Sequence, residues 1–248
     1  MNHQHSKLTV DFAGLGIPPG SYALPAPGAY DGYDRLERHF TGDLALTDLP
    51  PDDVQFLRNH FCEQVTEHRQ QAMDYFSDRV PRRFAEARPD ERATAWAEQF
   101  AGDRFTTKSL LLLGATGTGK THLAYSVLRA VAETGVQTRW QTFTAADLYA
   151  HLRPRDGQDS QDAFTRVADA ALLFLDDLGA AKFTEWTEEI TYRLINHRYE
   201  RCLPGIFTSN VPPAQLRDVL GERVTSRLSE MCDRIAIKGD DRRKGGAK

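Results

Sequence analysis

An α/β fold is what this sequence predicts: a central parallel sheet flanked by helices, preceded by a small helical N-terminal segment. Three observations carry the prediction. From Ser109 onward, short apolar runs alternate with helical stretches, the pattern of strands buried on both faces. A glycine-rich loop, Gly114 to Lys120, joins the first apolar run to the first of these helices, the order of a strand–loop–helix phosphate site. The run Leu172 to Leu175 ends in two acids, Asp176 and Asp177. That puts carboxylates at the carboxyl edge of the sheet, where open α/β folds bind their ligands.

The elements follow in order. Residues 1–50 read as an irregular or partly disordered arm, because residues 10–34 are rich in Pro, Gly and Tyr and show no apolar period. Residues 51–80 hold one long helix, an expected partner-binding element, with Val54, Leu57, Phe61, Val65, Ala72 and Phe76 along one face. Pro81 ends it. Residues 81–107 read as a linker with a short helix near Ala93 to Phe100, and residues 108–243 as the main domain. Within that domain strands are expected at Leu110–Leu113, Val136–Phe143, Ala170–Leu175, Gly205–Thr208 and Ile235–Lys238. Helices are expected at Thr121–Glu133, stopped by Gly135, at Ala145–Leu152 and at Thr184–Arg201. Residues 244–248 form a basic tail.

Bulk composition narrows the function. With 248 residues the chain is long enough for one sizeable α/β domain plus a smaller segment. A formal net charge of −4 argues against a surface coated in basic residues, so nucleic-acid contact has to be local. Cys62, Cys202 and Cys232 are far apart and lack metal-ligand spacing. The first residues contain no apolar export segment, and apolar runs elsewhere are only strand-sized. The expectation is a reduced, cytoplasmic protein with no membrane segment.

The chemistry concentrates in three strand ends. Gly114-Ala115-Thr116-Gly117-Thr118-Gly119-Lys120-Thr121 fits the P-loop pattern, whose glycines turn successive N–H groups toward phosphates. The helix behind adds its own unpaired amides and positive end. Lys120 is expected to reach the β- and γ-phosphates of ATP and the Thr121 hydroxyl to coordinate Mg2+, with His122 following at the cleft. Asp176 is expected to hold the magnesium shell, and Asp177 to orient the attacking water, since phosphoryl transfer needs positioning and charge neutralisation. Asp176 to Gly179 also reads as the D-x-x-G of GTPases, but no N-K-x-D guanine-reading motif occurs in the chain. Asn210, closing the run Phe207-Thr-Ser-Asn, is the candidate amide between the two acidic and basic elements. In Gly221 to Arg227, Arg223 and Arg227 lie four apart, on one face if the segment is helical.

Taken together, residues from about Val80 to Arg243 resemble the AAA+ ATPases of the DnaC/IstB family, which includes helicase loaders and transposition ATPases. The likeness rests on Val80-Pro-Arg-Arg-Phe84, Gly114 to His122, Leu175-Asp-Asp-Leu-Gly179, Thr208-Ser-Asn210, Gly221 to Leu228 and Gly239-Asp-Asp-Arg-Arg243. The resemblance implies that Asn210 acts as sensor I, Arg227 as an arginine finger working across subunits, and Arg243 as the sensor II arginine, with Arg242 or Arg223 as alternates. It implies a homo-oligomer in the ATP-bound form, and it matches residues 144–153 to a helix that contacts single-stranded DNA, with Arg153, Arg155 and Arg166 available for phosphates. The implied function is a loader that binds a DnaB-type replicative helicase. An IstB-like transposition ATPase and a non-hydrolysing nucleotide-dependent adaptor are the alternatives. One departure from many AAA+ proteins is Asp176-Asp177 in place of Asp-Glu, a shorter second carboxylate consistent with slow hydrolysis.

Overall fold

The computed structural model describes residues 10–18, 20–154, 160–180 and 184–239. The chain divides into two compact units, Met1–Tyr75 with Ala132–Gln137, and Phe76–Val131 with Thr138–Lys248.

In the first unit the described part of the N-terminal arm is folded. Helix α1 (Phe12–Leu15), helix α2 (Tyr33–Phe40) and a 3-10 turn at Leu46–Asp48 precede the long helix α3 (Pro51–Arg79). Leu15, Ile17, Leu36, Phe40 and Leu49 bury themselves with Leu57, Phe61 and Val65 of α3. The expectation of an irregular arm therefore misses a small core. Its apolar residues are separated by Pro- and Gly-bearing turns rather than by a period of two or 3.6, so no regular pattern betrays them. Polar contacts fix the path: Gln64 accepts from the Ala23 N–H and donates to the Ala23 carbonyl, at 2.8 and 2.9 Å. Tyr30 stacks on Phe56, ring centres 4.4 Å apart.

In the second unit, helix α4 (Glu91–Gly102) lies inside the expected linker. Asp90 caps it by accepting from the Ala93 N–H, and Ala93, Trp96, Ala97 and Phe100 bury one face. Five strands follow: β1 (Ser109–Leu113), β2 (Trp140–Thr144), β3 (Leu172–Asp176), β4 (Gly205–Ser209) and β5 (Cys232–Ala236). They pair in the order β2-β3-β4-β1-β5, and every pairing is parallel. The helices are α5 (Lys120–Thr134), α6 (Ala145–Leu152), α7 (Ser160–Ala168), α8 (Glu185–Glu200), α9 (Leu216–Leu220) and α10 (Glu222–Met231). Gly135 ends α5 at φ 80°, a left-handed stop that suits glycine.

Central strands β1 and β4 are buried along their whole length, and leucines, phenylalanines and isoleucines from the sheet, α6, α7, α8 and α10 form a continuous core. Two strands begin three or more residues away from the sequence reading. The fifth strand lies at Cys232–Ala236, three residues before the expected start, because it is an edge strand whose exposed Asp233 and Arg234 hide the apolar signal. The second begins at Trp140 instead of Val136. Helix α7 is an addition: a short amphipathic turn that buries Phe164, Val167 and Ala168.

Candidate nucleotide site

Strand order determines what can meet. Because β4 lies between β1 and β3, the loops after β1 and β3 flank the end of β4, and all three carboxyl ends face one cleft of about 440 Å3. Thr116, Gly117, Gly119, Lys120, Thr121, His122, Asp176, Asp177 and Asn210 line it. Most of the residues singled out by motif are therefore brought together.

The loop itself is shaped by backbone demands. A Cβ on Gly114 would lie 2.5 Å from the Ile237 carbonyl oxygen, so only glycine fits beside β5. Gly117 and Gly119 sit at φ 84° and 99°, where a side chain would be strained. Thr118 is buried, and its hydroxyl donates to the Ala115 carbonyl at 2.9 Å, so this side chain braces the loop from within. Gly114, Ala115 and Thr118 shape the loop without lining the cleft.

Lys120 is the first residue of α5 and is almost fully buried. Its ammonium donates to the carbonyls of Gly114 and Ala115 at 2.9 and 2.8 Å and to Asn210 Oδ1 at 2.5 Å. Asn210 Nδ2 in turn donates to Asp177 Oδ1 at 2.7 Å. Lysine can only donate and a carboxylate can only accept, so the two neighbours dictate which way the amide faces. The result is a continuous chain, Lys120–Asn210–Asp177, from the loop after β1 across β4 to the turn after β3.

A second chain runs beside it. The Thr121 hydroxyl lies 3.1 Å from both oxygens of Asp176, and the Thr208 hydroxyl donates to Asp176 Oδ1 at 2.5 Å. Burial raises the Asp176 carboxyl above the ordinary carboxylate range, hydrogen bonds from Thr208 and Thr121 pull it back, and the neighbouring Asp177 charge pushes it up again. A cation beside Asp176 would favour its ionised form. One hydroxyl and one carboxylate fit a magnesium ion that keeps most of its other positions for water and phosphate. Among the described residues no cluster of three or more His, Cys, Asp or Glu could hold a metal alone. The Thr121 hydroxyl and Asp176 carboxylate fit a metal that takes its remaining ligands from water and phosphate.

Two cleft residues escaped the sequence reading as site residues. Arg83 and Phe84, from the 3-10 turn before α4, line the same cleft, and Phe84 stacks on Tyr125 of α5 with ring centres 4.7 Å apart. Their order in the chain says nothing of this; only the return of the segment to α5 does.

Arg227 lies elsewhere. It is not among the cleft-lining residues, and on α10 its guanidinium sits 4.4 Å over the Tyr199 ring while Nε donates to Asn196 Oδ1 at 3.3 Å. Arg223, one turn earlier, stacks on Tyr192 at 5.5 Å. Both arginines therefore mark the α8–α10 face. Arg155, Arg242 and Arg243 lie outside the described residues. No described helix is long and apolar enough to cross a membrane.

The chain is 31% identical over 129 residues to the putative ATP-binding protein of insertion sequence IS5376 from Geobacillus stearothermophilus, covering 52% of this chain and 49% of that protein. It is 25% identical over 155 residues to the replicative helicase loader DnaI of Bacillus subtilis, covering 55% of this chain and 48% of the loader. The chain thus spans about half the length of these curated relatives. The crystal structure of the DnaC helicase loader superposes with a TM-score of 0.55 at 30% identity, over 64% of this chain and all of that one. The family model described as IstB-like ATP binding protein matches residues 94–247, and the chain accordingly belongs to this DnaC/IstB-like family of AAA+ ATP-binding proteins.

Proposed function

We propose that this protein hydrolyses ATP to ADP and phosphate and uses the cycle to load a DnaB-type replicative helicase onto single-stranded DNA in the cytoplasm. The observation that carries the ATPase half is the convergence of Lys120, Thr121, Asp176, Asp177 and Asn210 in one cleft through two hydrogen-bonded chains. Lys120 and the loop amides hold the phosphates. Thr121 and Asp176 hold Mg2+, which when bound neutralises phosphate charge. Asp177 orients the attacking water, and Asn210 ties that acid to Lys120 so that water and phosphate are positioned together. Arg227 acts on the phosphates of a neighbouring copy in an ATP-bound oligomer, a role consistent with its distance from its own cleft, and Arg243 serves as sensor II.

The loader half draws support from the likeness to DnaI, a replicative helicase loader, and to the DnaC helicase loader. The N-terminal unit supplies a separate element for gripping the helicase, and Arg153 at the end of α6 and Arg166 of α7 are available for the phosphates of single-stranded DNA. A second reading, an IstB-like transposition ATPase, has its own support: one relative is the putative ATP-binding protein of an insertion sequence, and the matching family is that of IstB-like ATP-binding proteins. Such a protein would use every residue of the same cleft but engage a transposase and duplex DNA. Light scattering after size exclusion separates the readings, with the protein and its host's replicative helicase mixed with and without ATP. A complex that disappears when the chain starts near Val80 supports loading. No complex under any condition moves the assignment to transposition.

A further inference from the structure

Thr208 carries more of the cleft than its place in an apolar strand suggests. It lies on β4 between the two acid-bearing and base-bearing loops and is fully buried. Its one hydroxyl touches both acids: it donates to Asp176 Oδ1 at 2.5 Å and accepts from the Asp177 N–H at 2.9 Å. The directions are forced, since a backbone N–H only donates and leaves the hydroxyl proton for the carboxylate. The neighbouring contacts close the same seam, with Leu178 N–H donating to the Thr208 carbonyl at 2.8 Å and Ser209 Oγ donating to the Leu178 carbonyl at 2.6 Å.

Asp177 needs such a seam. It is not glycine, yet it sits at φ 56°, a left-handed conformation costing roughly 1–2 kcal/mol for a residue with a side chain. In that conformation its carboxylate accepts from Asn210 Nδ2 at 2.7 Å. Two hydrogen bonds from β4 hold the twist, one to the Asp177 N–H and one to the N–H after it.

We propose that the Thr208 hydroxyl is a positioning group that sets the two acids to different tasks, steering Asp176 toward the metal and Asp177 toward the water. The inference rests on the reading of the cleft as an ATPase site. Thr208 itself does not line the cleft. Losing its hydroxyl therefore affects metal use and turnover, and leaves nucleotide capture by the loop after β1 intact.

The test replaces the hydroxyl with a methyl group of the same shape. In Thr208→Val, kcat should fall about 10–100-fold and the Mg2+ concentration for half-maximal turnover should rise by a similar order, the usual cost of losing a group that orients a metal ligand. Binding of a fluorescent ATP analogue in EDTA should stay within about twofold, since uniform binding is untouched. Thr208→Ser should recover most of both losses. Should the valine protein fail to fold, Thr208→Cys keeps the volume with a weaker donor and carries the same expectation. Wild-type turnover of Thr208→Val at every Mg2+ concentration overturns the proposal. So does a loss that Thr208→Ser does not recover, or one that weakens EDTA binding in step with turnover. Asp176→Asn and Asp177→Asn measured in parallel keep the two ideas apart. If the wild-type protein shows no turnover, the ATPase reading falls and takes this inference with it; if both asparagine variants are inactive and Thr208→Val is not, the inference alone falls.

Discussion

Strands β3 and β4 are held at both ends by polar groups, and the two ends are built on opposite principles. At the carboxyl ends, Asp176, Asp177, Thr208 and Asn210 form a network that opens into a cleft. At the amino ends, Arg198 of α8 is fully buried and donates to the carbonyls of Ala168 and Ala170 ahead of β3, at 3.0 and 2.8 Å, and to that of Pro204 ahead of β4. Burial pushes the Arg198 guanidinium down to about 9, opposed by the Asp169 charge, so it stays charged at neutral pH. A buried cation fed by three carbonyls has no exchangeable partner and serves as a clamp. Acids at the rim of a cleft keep capacity to spare for a ligand. The same two strands thus carry a buried clamp at one end and the open candidate cleft at the other.

The sharpest way to break this division is Asp177→Asn. The amide keeps an oxygen for Asn210 to donate to, so the fold and ATP binding should persist, while turnover falls about 10³-fold, within the range for removing a general base or water-orienting group. Steady-state phosphate release together with a thermal melt reads both quantities. Unchanged turnover removes the assigned role of Asp177, and a large drop in melting temperature would mean that the carboxyl ends also hold the fold together.

Arg227→Ala asks whether the chemistry needs a third region, the α8–α10 face. Nucleotide binding by the monomer should be normal, and turnover at concentrations that favour assembly should fall about 10²-fold, the order expected for losing one charge-stabilising donor. Mixing with Lys120→Ala subunits should restore part of the activity, because each variant supplies what the other lacks. No restoration would confine all reacting groups to a single chain.

Arg198→Met addresses the opposite end. It leaves three carbonyls without their donor and relieves the cost of burying a charge, for a net loss of about 2 kcal/mol. Denaturant titration should show that loss while kcat per folded molecule stays near wild type. A kcat that fell with intact stability would mean the clamp also tunes the cleft.

The two ends also differed in how far they could be read from the chain. That Lys120, Thr121, Asp176 and Asp177 meet at one cleft was legible because their motifs sit at the ends of apolar strands, and the parallel sheet followed from its buried apolar runs. Arg198 was not: one arginine within Tyr192-Arg-Leu-Ile-Asn-His-Arg-Tyr-Glu200 looks like any solvated helix face until the fold turns it inward. Thr208 was quoted only as part of a motif, since a threonine in a strand is ordinary. Arg83 and Phe84 join the cleft through tertiary return of the chain. The packed residues 10–50 escaped because turns, with no periodicity, bring their apolar side chains together.

The smallest expected effect tests whether the buried-charge logic of Arg198 extends to the N-terminal unit. Asp53, in the first turn of α3, is fully buried and accepts from Arg35 Nε and Nη2 at 2.6 and 2.8 Å and from the Tyr30 hydroxyl at 2.8 Å. The Arg35 hydrogen bonds hold its carboxyl below the ordinary 3.8, against the opposing pull of burial. A carboxyl depressed in the folded state contributes stability that is present above its unfolded value and lost as pH falls through the folded one. The unit should therefore loosen in acid below about pH 4, the ordinary range of an aspartate. Half of the Arg35 side chain is exposed, so screening trims the gain. Asp53→Asn at pH 7 should cost about 1 kcal/mol, seen as roughly fivefold faster amide exchange in residues 22–40 with the sheet amides and ATP turnover unchanged. Unchanged exchange would mean that the apolar contacts of Leu36, Phe40, Leu57 and Phe61 alone hold this segment on α3, and that buried charge acts as a clamp only where it gathers backbone carbonyls, as Arg198 does.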